Sequence, residues 1–415
     1  MREMKDSGVA WIGEIPETWS INKMKYIGTY INGYAFKPDD WGNTGLPIIR
    51  IQDLTGSNNN PNYFNGNIDQ KYYVENGDIL VSWAATLDAF EWNKGEGWLN
   101  QHIFKAIPQK DIVSKPYYIW LLKVAMSYMN DDNKHGIMMQ HITLPVFNNF
   151  SIAIPPLEDQ QKIAAHLDRK CTQIDALISN AQQQIEKLKA YKQSVITETV
   201  TKGLEPDVQM KDSGVEWIGE IPKHWTVAPI RSFFKIKKDI IGHEPDIVLS
   251  ITQGGIKVKD INENSGQMAN SYAHYQIVNI GDFAMNHMDL LTGGVGISEF
   301  EGVTSPDYRV FVIRNAEMNP RYFLYVFQMY YRNKIFYAFG QGAANLGRWR
   351  LPAQNFNTVA VPLSPVEEQN SIVTFLDEKC TQIDKLIDLK QQKIEKLQQY
   401  KKSLIYEYVT GKKEV

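Results

Sequence analysis

The sequence predicts an α+β fold in which two mixed α/β domains are joined by two long antiparallel helices that form a coiled-coil spacer. Two duplications in the 415-residue chain support this prediction and add an internal tandem repeat with pseudo-two-fold symmetry. MKDSGVAWIGEIPETW, at residues 4–19, returns as MKDSGVEWIGEIPKHW at residues 210–225, with about 13 of 16 positions identical. DRKCTQID from Asp168 returns as DEKCTQID from Asp377. A module of about 207 residues is therefore written twice.

The roughly 130 residues between the copied ends have diverged, although the order of their segments is kept. GDILVSW in the first module corresponds to GDFAMNH in the second. Residue patterns predict strands in LPIIRIQDL, GDILVSW and HIFKAIP of the first copy, and in DIVLSIT, GDFAMN and YRVFVIR of the second. PYYIWLLKVAMSYM and PRYFLYVFQMYYRN each predict one amphipathic helix. The copied ends of each module, which we call the frame, are thus similar, whereas the residues between them, which we call the insert, differ.

Each module ends in a segment with a helical pattern. Ser364, Pro365 and Glu367 predict an N-cap, a proline at the first helical position and a capping-box glutamate, and Pro155-Pro156 ends the preceding strand in the first copy. Apolar residues then recur at heptad spacing, which indicates a narrow seam between two helices. The seam residues are Cys171, Ile174, Ile178, Ile185 and Leu188 in the first helix, and Cys380, Ile383, Ile387, Ile394 and Leu397 in the second.

Chain connectivity favours antiparallel pairing of these helices. The first helix leads into residues 210–225, which introduce the second domain, so its end should lie near the start of the second helix. Some 40 residues at 1.5 Å each give a helix of roughly 60 Å. The alternative is that each helix packs on its own domain. We interpret Cys171 and Cys380 as small apolar fillers.

Composition excludes several classes of protein. Hydrophobic residues at 43% and charged residues at 22% are ordinary for a globular chain, and no apolar run suits a signal peptide or a transmembrane helix. We therefore expect a cytoplasmic protein with no membrane partner. Two cysteines cannot build a disulfide framework or a four-cysteine zinc site. A formal net charge of −3 means that any DNA contact should be local or shared with a partner.

Catalytic motifs are missing from the sequence. There is no GxxxxGK[ST] phosphate loop, and Gly294-Val295-Gly296 lacks the third glycine of a dinucleotide fingerprint. The Pro155-Pro156 pair lacks the polar and aromatic flanks of an amino-methyltransferase loop, and the eight histidines show no metal-ligand spacing. The DRK and DEK triplets end like a nuclease D-x-K pattern, but they lie on the heptad helices, where solvated charge is the better interpretation. We predict no catalytic residue, no metal site and no cofactor on this chain.

Several motifs together resemble the specificity (S) subunits of type I restriction-modification systems. They are the duplicated KDSGVxWIGEIPxxW leader, PPLEDQQKIAAHLD and SPVEEQNSIVTFLD, CTQID…IEKL…Y in both helices, and GDIL and GDFA in the inserts. The resemblance covers the full length. It implies a non-catalytic subunit whose two target-recognition domains each read one half of an asymmetric, interrupted sequence in double-stranded DNA. It further implies that the helices set the gap between the two halves.

The resemblance also implies partners. Two methyltransferase subunits would dock on the helices and supply S-adenosylmethionine for adenine N6 methylation, and two motor-nuclease restriction subunits would use ATP and Mg²⁺. The domain division that follows is 1–156 for target-recognition domain 1, 157–206 for helical spacer 1, 207–363 for target-recognition domain 2 and 364–415 for helical spacer 2.

Base readout should come from polar loops beside the predicted strands. The candidates in the first domain are Arg50, Gln52, Asn58, Asn59, Ser82, Trp83, Gln140 and His141. Those in the second are Gln253, Lys257, Lys259, Asn286, His287, Gln341, Asn345, Arg348 and Arg350. GQGAANLGRWR, residues 340–350, is the strongest candidate because three glycines permit close backbone approach and two arginines follow. For each residue a solvated loop position or a phosphate contact remains the alternative, and the tryptophan in this segment also suits a core.

Two other classes of function compete with DNA recognition. A tandem carbohydrate- or peptide-binding protein would also place aromatic residues in duplicated domains, although it would not need helices copied so faithfully. Salt-dependent DNA binding would distinguish it. A single-chain methyltransferase-nuclease would need catalytic motifs on this chain. A half-subunit that dimerises is a further variant, but both halves are already present here.

Overall fold

The computed structural model describes residues 2–58, 60–133, 142–260, 269–342 and 349–415. Within these ranges the chain forms two compact units. Unit 1 comprises Met1–Ala181 with Gln392–Val415, and unit 2 comprises Gln182–Gln391. Each unit therefore combines one insert with a segment of both long helices, and the α+β prediction is confirmed.

Unit 1 contains short strands, four short or medium helices and the first part of a long helix. Its elements are β1 Met4–Asp6, β2 Glu14–Pro16, β3 Ser20–Lys23, α1 Met24–Ile27, β4 Gly28–Asn32, β5 Leu46–Ile49, α2 Ile51–Thr55, β6 Tyr63–Phe64, β7 Tyr73–Val74, β8 Ile79–Ser82, β9 Asp88–Glu91, β10 Gly97–Leu99, β11 Ile103–Pro108, α3 Lys115–Asn133, α4 Leu144–Asn149, β12 Ser151–Ile154 and α5 Leu157–Lys202, of which residues up to Ala181 belong here.

A four-stranded antiparallel sheet forms the centre of unit 1, in the order β4-β11-β8-β9. Phe104 of β11 lies opposite Asn32 on one side and Val81 on the other. A second sheet, β6-β5-β10-β7, contains one parallel pair, in which Trp98 lies opposite Ile48. Helix α3 packs against β9. The aromatic residues of its PYYIWLL segment are buried in one cluster with the central sheet, which places the core of the unit here.

Unit 2 repeats this frame around a different insert. Its elements are β13 Met210–Asp212, β14 Glu220–Pro222, β15 Thr226–Pro229, β16 Phe234–Lys237, β17 Leu249–Thr252, β18 Gly255–Val258, β19 Gln276–Val278, β20 Phe283–Met285, β21 Val295–Ile297, β22 Gly302–Thr304, β23 Arg309–Ile313, α6 Pro320–Arg332, α7 Ile335–Ala338, α8 Ala353–Thr358, β24 Ala360–Leu363 and α9 Val366–Val409, of which residues up to Gln391 belong here. The β16-β23-β20-β21 sheet corresponds to the central sheet of unit 1, whereas the β17-β18 hairpin and the β19-β22 pair stand in place of the second sheet.

The strand predicted over LPIIRIQDL is wrong in its second half. Strand β5 ends at Ile49, and α2 begins two residues later. The Asp53 carboxylate accepts a hydrogen bond from the backbone N–H of Arg50 at 2.7 Å, which satisfies a free donor at the helix start. Gly56, with φ of 76°, ends the helix in the left-handed region. Local capping therefore outweighs the alternating apolar pattern.

The GD pair before β8 and β20 closes the same turn in both units. Asp78 and Asp282 each accept a hydrogen bond from the backbone N–H three residues earlier, at 2.9 and 2.8 Å. Each carboxylate also forms an ion pair at 2.7 Å, Asp78 with Lys105 and Asp282 with Lys237. The preceding glycines have φ of 94° and 88°, which explains why glycine stands there. The GD pair therefore positions the strand that follows it.

A buried glutamine fixes the start of each long helix. Gln160 and Gln369 each donate to the carbonyl five residues earlier, at 2.9 Å. Their side-chain oxygens accept from the backbone N–H groups of Ser114 and Asn319, just before α3 and α6, at 2.8 and 3.0 Å. The predicted capping box is wrong, because the Ser364 hydroxyl is buried and, within the described residues, makes no hydrogen bond. The glutamines instead tie each long helix to its domain.

The two long helices run antiparallel within each unit, as predicted. In unit 1, Lys401 pairs with Asp175 at 2.6 Å, and the ring centroids of His166 and Tyr408 lie 4.5 Å apart. In unit 2, Lys192 pairs with Asp384 at 2.7 Å, and Lys390 donates to the Gln184 side chain at 2.6 Å. Of the expected seam residues, Cys171, Ile174, Ile185, Cys380, Ile383 and Ile394 are buried, and Ile178, Leu188, Ile387 and Leu397 are half-buried.

Both cysteines are free thiols in apolar surroundings. Burial raises the pKa of the Cys171 thiol to about 11 and also raises the pKa of Cys380. Both groups therefore stay protonated at neutral pH, which fits their interpretation as apolar fillers. Within the described ranges, no helix combines the length and apolar character that crossing a bilayer requires.

Candidate nucleic-acid interface

Five of the candidate base-reading residues lie outside the described residues. They are Asn59, Gln140, His141, Asn345 and Arg348. The remaining candidates fall into two groups, one in each unit.

In unit 1 the structure brings Arg50 and Gln52 together in a groove of about 450 Å³. The start of α2 forms one side of the groove, and the turns that contain Thr86 and His102 form another. Half of its lining residues carry amide or hydroxyl side chains, and the described lining contains no Asp or Glu. A groove of neutral hydrogen-bonding groups with one arginine has the composition expected for contact with base edges.

The Arg50 guanidinium lies over the ring of Trp41, with 4.5 Å between its central carbon and the ring centroid. Trp41 is 46% exposed, so the pair stands at the surface of the groove. The nearby Asp53 carboxylate is already engaged by the backbone of Arg50 and by the Asn58 side chain, both at 2.7 Å. Packing over the indole limits the freedom of the guanidinium and leaves its N–H donors available to a ligand.

Three first-domain candidates have structural roles instead. Ser82 is fully buried, and its hydroxyl donates to the Ala84 carbonyl at 3.1 Å, so as placed it cannot reach a base. The Asn58 amide donates to Asp53 and accepts from the backbone of Asn60, which closes the turn after α2. The half-buried Trp83 ring stacks on Phe104 at 5.7 Å. Direct base contact by Ser82 does not match its buried position, whereas base contact by the half-buried Asn58 and Trp83 stays a prediction.

In unit 2 the structure gathers candidates around residues 286–294, which connect β20 to β21. Gly294 lies against the backbone of Thr252 in the hairpin turn, where an added Cβ would come within 2.3 Å of the carbonyl oxygen. The His287 carbonyl accepts from the backbone N–H of Leu351 at 2.8 Å. The connection over residues 286–294 is therefore bordered by the exposed Gln253 at the hairpin turn and by the residues around 341 and 350.

Gln341 and Arg350 form the base of the segment predicted as the strongest candidate. Their backbones make a two-way bridge, with N–H···O distances of 2.8 and 3.1 Å, and both residues are exposed. Trp349 stacks on Tyr337 and donates to its carbonyl at 2.7 Å. An added Cβ at Gly340 would lie 2.2 Å from the Trp349 indole nitrogen, which explains the glycine. The tryptophan therefore packs against α7 at the base of the segment, as the core alternative expects.

His287 and Asn286 are held close to this bridge. Burial, together with the nearby positive charges of Arg309 and Arg350, lowers the pKa of His287 to about 3, so the imidazole is neutral at physiological pH. The Asn286 side chain accepts from the backbone N–H groups of Met288 and Asp289, at 3.2 and 3.3 Å. Asn286 thus shapes the connection through its side-chain oxygen, and its role in reading bases stays a prediction.

The two lysine candidates lie on or beyond β18. Lys257 is exposed on the strand, opposite Ser250. Lys259 is half-buried, and its backbone N–H donates to the Val248 carbonyl at 2.8 Å. An exposed lysine on a hairpin strand suits a phosphate contact, since a flexible ammonium carries charge without bidentate geometry.

Sequence reasoning missed Trp41 and Arg309. Trp41 stands nine positions before Arg50 in a loop, and only the folded chain shows that the two stack. Arg309 is 5% exposed, donates to the Leu351 carbonyl at 2.8 Å and lies over Phe356. Burial lowers its pKa to about 10, so it remains a cation behind the bridge. An isolated arginine at the start of an apolar strand was the available signal.

In both units an equivalent backbone hydrogen bond joins the end of a candidate loop to the residues that follow the GD strand. The Trp83 carbonyl accepts from the backbone N–H of Ile142 at 3.1 Å, as the His287 carbonyl does from Leu351. In each unit the residue that follows the candidate loop therefore bonds to the backbone just after the strand of the GD turn, which is β8 in unit 1 and β20 in unit 2.

Comparisons with known proteins agree with a duplicated chain. A family model for the type I restriction modification DNA specificity domain matches it twice, over residues 16–188 and 222–399. The type I restriction enzyme EcoBI specificity subunit of Escherichia coli is 24% identical over 402 residues, which cover 90% of this chain and 81% of that protein. The putative type I restriction enzyme MjaX specificity subunit of Methanocaldococcus jannaschii is 26% identical, over 97% of this chain and 95% of that protein.

A solved structure has the same fold. It comes from work on complex assembly and conformational transition of the type I R-M system, and it aligns with a TM-score of 0.68 at 12% sequence identity. The alignment covers 95% of this chain and 98% of the other.

Proposed function

This chain belongs to the type I restriction modification DNA specificity family, and from that membership we propose that each unit reads one half of an asymmetric, interrupted target in double-stranded DNA. The chain is the non-catalytic specificity component of such a system. The proposal assigns residues 1–156 and 207–363 to two target-recognition domains, and residues 157–206 and 364–415 to the helical spacers.

The observation that carries the proposal is that two matching frames present different chemistry. Ile48 lies in a parallel pair with Trp98, and Val248 in a parallel bridge with Val303, so these positions correspond. Two residues further on, unit 1 has Arg50 where unit 2 has Ser250. Different side chains at matching places would read different bases, which makes the target asymmetric.

We propose that a repeated, exposed stripe on the long helices docks the methyltransferase subunits. Leu177 and Leu386 occupy matching positions and are 48% and 47% exposed, and Tyr191 and Tyr400 also match, at 49% and 52%. Unit 1 holds Leu177 and Tyr400, and unit 2 holds Tyr191 and Leu386. Folding does not require large apolar residues at exposed positions, so their duplication supports a partner that binds twice.

The partners would supply the chemistry that this chain lacks. We propose two methyltransferase subunits that bring S-adenosylmethionine for adenine N6 methylation, and two restriction subunits that use ATP and Mg²⁺. The proposal assigns no residue of this chain to the binding of any of these cofactors. Because the substrate is genomic DNA, we place the complex in the cytoplasm.

Modified-base sequencing tests the function. We expect cells that carry this chain with its methyltransferase to show N6-methyladenine in one interrupted motif, on opposite strands in its two halves. Deletion of this chain should abolish methylation at that motif, and its restoration should return it. Expression of the methyltransferase subunit is measured in parallel. An unchanged methylome with that subunit present would contradict the proposal.

A further inference from the structure

We propose that the Arg50 guanidinium, packed over the ring of Trp41, reads a guanine in the half-target of unit 1 and fixes the identity of that base. The inference rests on the proposed function and adds the specificity-determining residue and the base that it selects. It starts from the geometry of the pair, with the guanidinium carbon 4.5 Å from the indole centroid.

The position of Arg50 is set by the backbone around it. Strand β5 delivers the chain to Arg50, and the hydrogen bond from its N–H to Asp53 fixes the turn into α2. With the backbone held, stacking on Trp41 removes much of the remaining freedom of a long side chain. An arginine restrained in this way loses less conformational entropy when it binds.

The charge of Arg50 is not neutralised where it stands. Among the described residues, no carboxylate forms an ion pair with its guanidinium. The closest candidate, Asp53, has its two oxygens engaged at 2.7 Å by the Arg50 backbone and the Asn58 amide. The described lining of the groove adds no acidic side chain. The edge of the guanidinium therefore keeps its donors for a ligand that offers two acceptors.

Guanine is the base that offers two such acceptors side by side. Its O6 and N7 atoms face the major groove and match the two parallel donors of a guanidinium edge. Adenine presents a donor beside N7, so it opposes the same edge. A phosphate would also accept from the guanidinium, but the neutral amide groups of Gln52, Asn100 and Gln101 in the same groove suit base edges better.

The test uses the specificity chain assembled with its methyltransferase and a set of duplexes that carry every single-base change in the target. We expect Arg50→Gln to reduce the preference for guanine at one position of one half-target by roughly ten- to a hundredfold. Arg50→Lys should give a similar loss because a single ammonium cannot make the bidentate contact. Trp41→Leu should weaken the preference at that same position, which links the effect to the stacked pair.

Arg2→Gln is the matched control. Arg2 belongs to the same unit but lies away from the groove, with its guanidinium carbon 5.5 Å from the centroid of the Trp19 ring. The substitution therefore removes a similar contact between an arginine and a tryptophan. Preferences at every position should be unchanged in this variant. Melting temperatures verify that the Arg50 and Trp41 variants remain folded.

Three results would overturn the inference. The first is an unchanged guanine preference in the Arg50 variants, and the second is a unit 1 half-target without guanine. The third is an equal loss at all positions with a reduced salt dependence, which indicates a phosphate contact. Failure of the proposed function would look different, since the unsubstituted complex would then select no interrupted target at all.

Discussion

The two units differ by a single methylene in the acidic side chain at the position beside the tryptophan that ends each copied leader. In unit 2 the buried Trp225 indole donates to the Glu368 carboxylate at 2.9 Å. In unit 1 the Trp19 indole nitrogen is buried and, among the described residues, has no hydrogen-bond partner. Asp159 stands at the position that matches Glu368, with a side chain one carbon shorter. An unsatisfied buried N–H costs stability, so unit 1 carries a correctable defect.

Asp159→Glu should therefore stabilise the protein. We expect the new carboxylate to reach the Trp19 indole and to raise the free energy of unfolding by about 0.5–1.5 kcal/mol. Glu368→Asp should lower it by about 1–3 kcal/mol, because the Trp225 N–H would lose its acceptor inside the protein. Urea denaturation of both variants measures the changes.

Glu367→Asp serves as the control for these variants, since this exposed glutamate precedes Glu368 on the same helix. Its effect should stay within about 0.5 kcal/mol. A Glu368→Asp variant as stable as the unsubstituted protein would show that the indole bond contributes nothing.

Residue-level expectations succeed or fail for physical reasons. The sequence pointed to Arg50 and Gln52, which the structure places in one groove. It also pointed to Ser82, but all four residues of β8 are buried. A strand covered on both faces gives no alternation, so the pattern cannot distinguish an inward residue from an outward one. Trp41 escaped notice because its contact with Arg50 depends on the path of a loop, which has no periodicity.

At the scale of elements, heptad spacing located both long helices because their pairing depends on a regular seam. The capping at Ser364 and the strand over residues 51–54 were wrong, since a tertiary bond to Gln369 and a local bond to Asp53 decide those boundaries. Periodicity reports on which face of an element is covered. It does not report on side chains that bridge elements distant in sequence.

The repeated stripe leads to a prediction about partner docking. We expect Leu177→Asp or Leu386→Asp alone to remove one of the two methyltransferase subunits, and the double variant to remove both. A charge at an exposed apolar contact opposes burial by a partner but leaves the helix folded. Native mass spectrometry of the reconstituted complex measures the stoichiometry.

Leu389→Asp is the matched control for docking. Leu389 is 61% exposed on the same helix, but Asn180 stands at the matching position of the first helix, so this site is not duplicated. The control complex should retain two methyltransferase subunits. Loss of a subunit in the control, or full occupancy in the double variant, would refute the assignment of the stripe.

At the scale of the whole molecule, the helices connect the two reading surfaces, and we propose that their length sets the gap in the target. Both are continuous, over Leu157–Lys202 and Val366–Val409. The boundary between the units falls within each helix, at residues 181/182 and 391/392. An insertion at these two points leaves each unit with its own contacts, and an insertion of seven residues preserves the heptad seam.

Seven residues inserted at both points should lengthen the recognised gap without changing either half-target. Seven residues add about 10.5 Å of helix, which corresponds to roughly three base pairs of B-DNA at 3.4 Å each. Modified-base sequencing reads the new gap directly. Seven residues inserted into one helix alone should instead disturb the seam and reduce methylation at both gap lengths. A double insertion that methylates the original motif, with its original gap, would refute the idea that the helices act as a ruler and would place the spacing in the partner subunits.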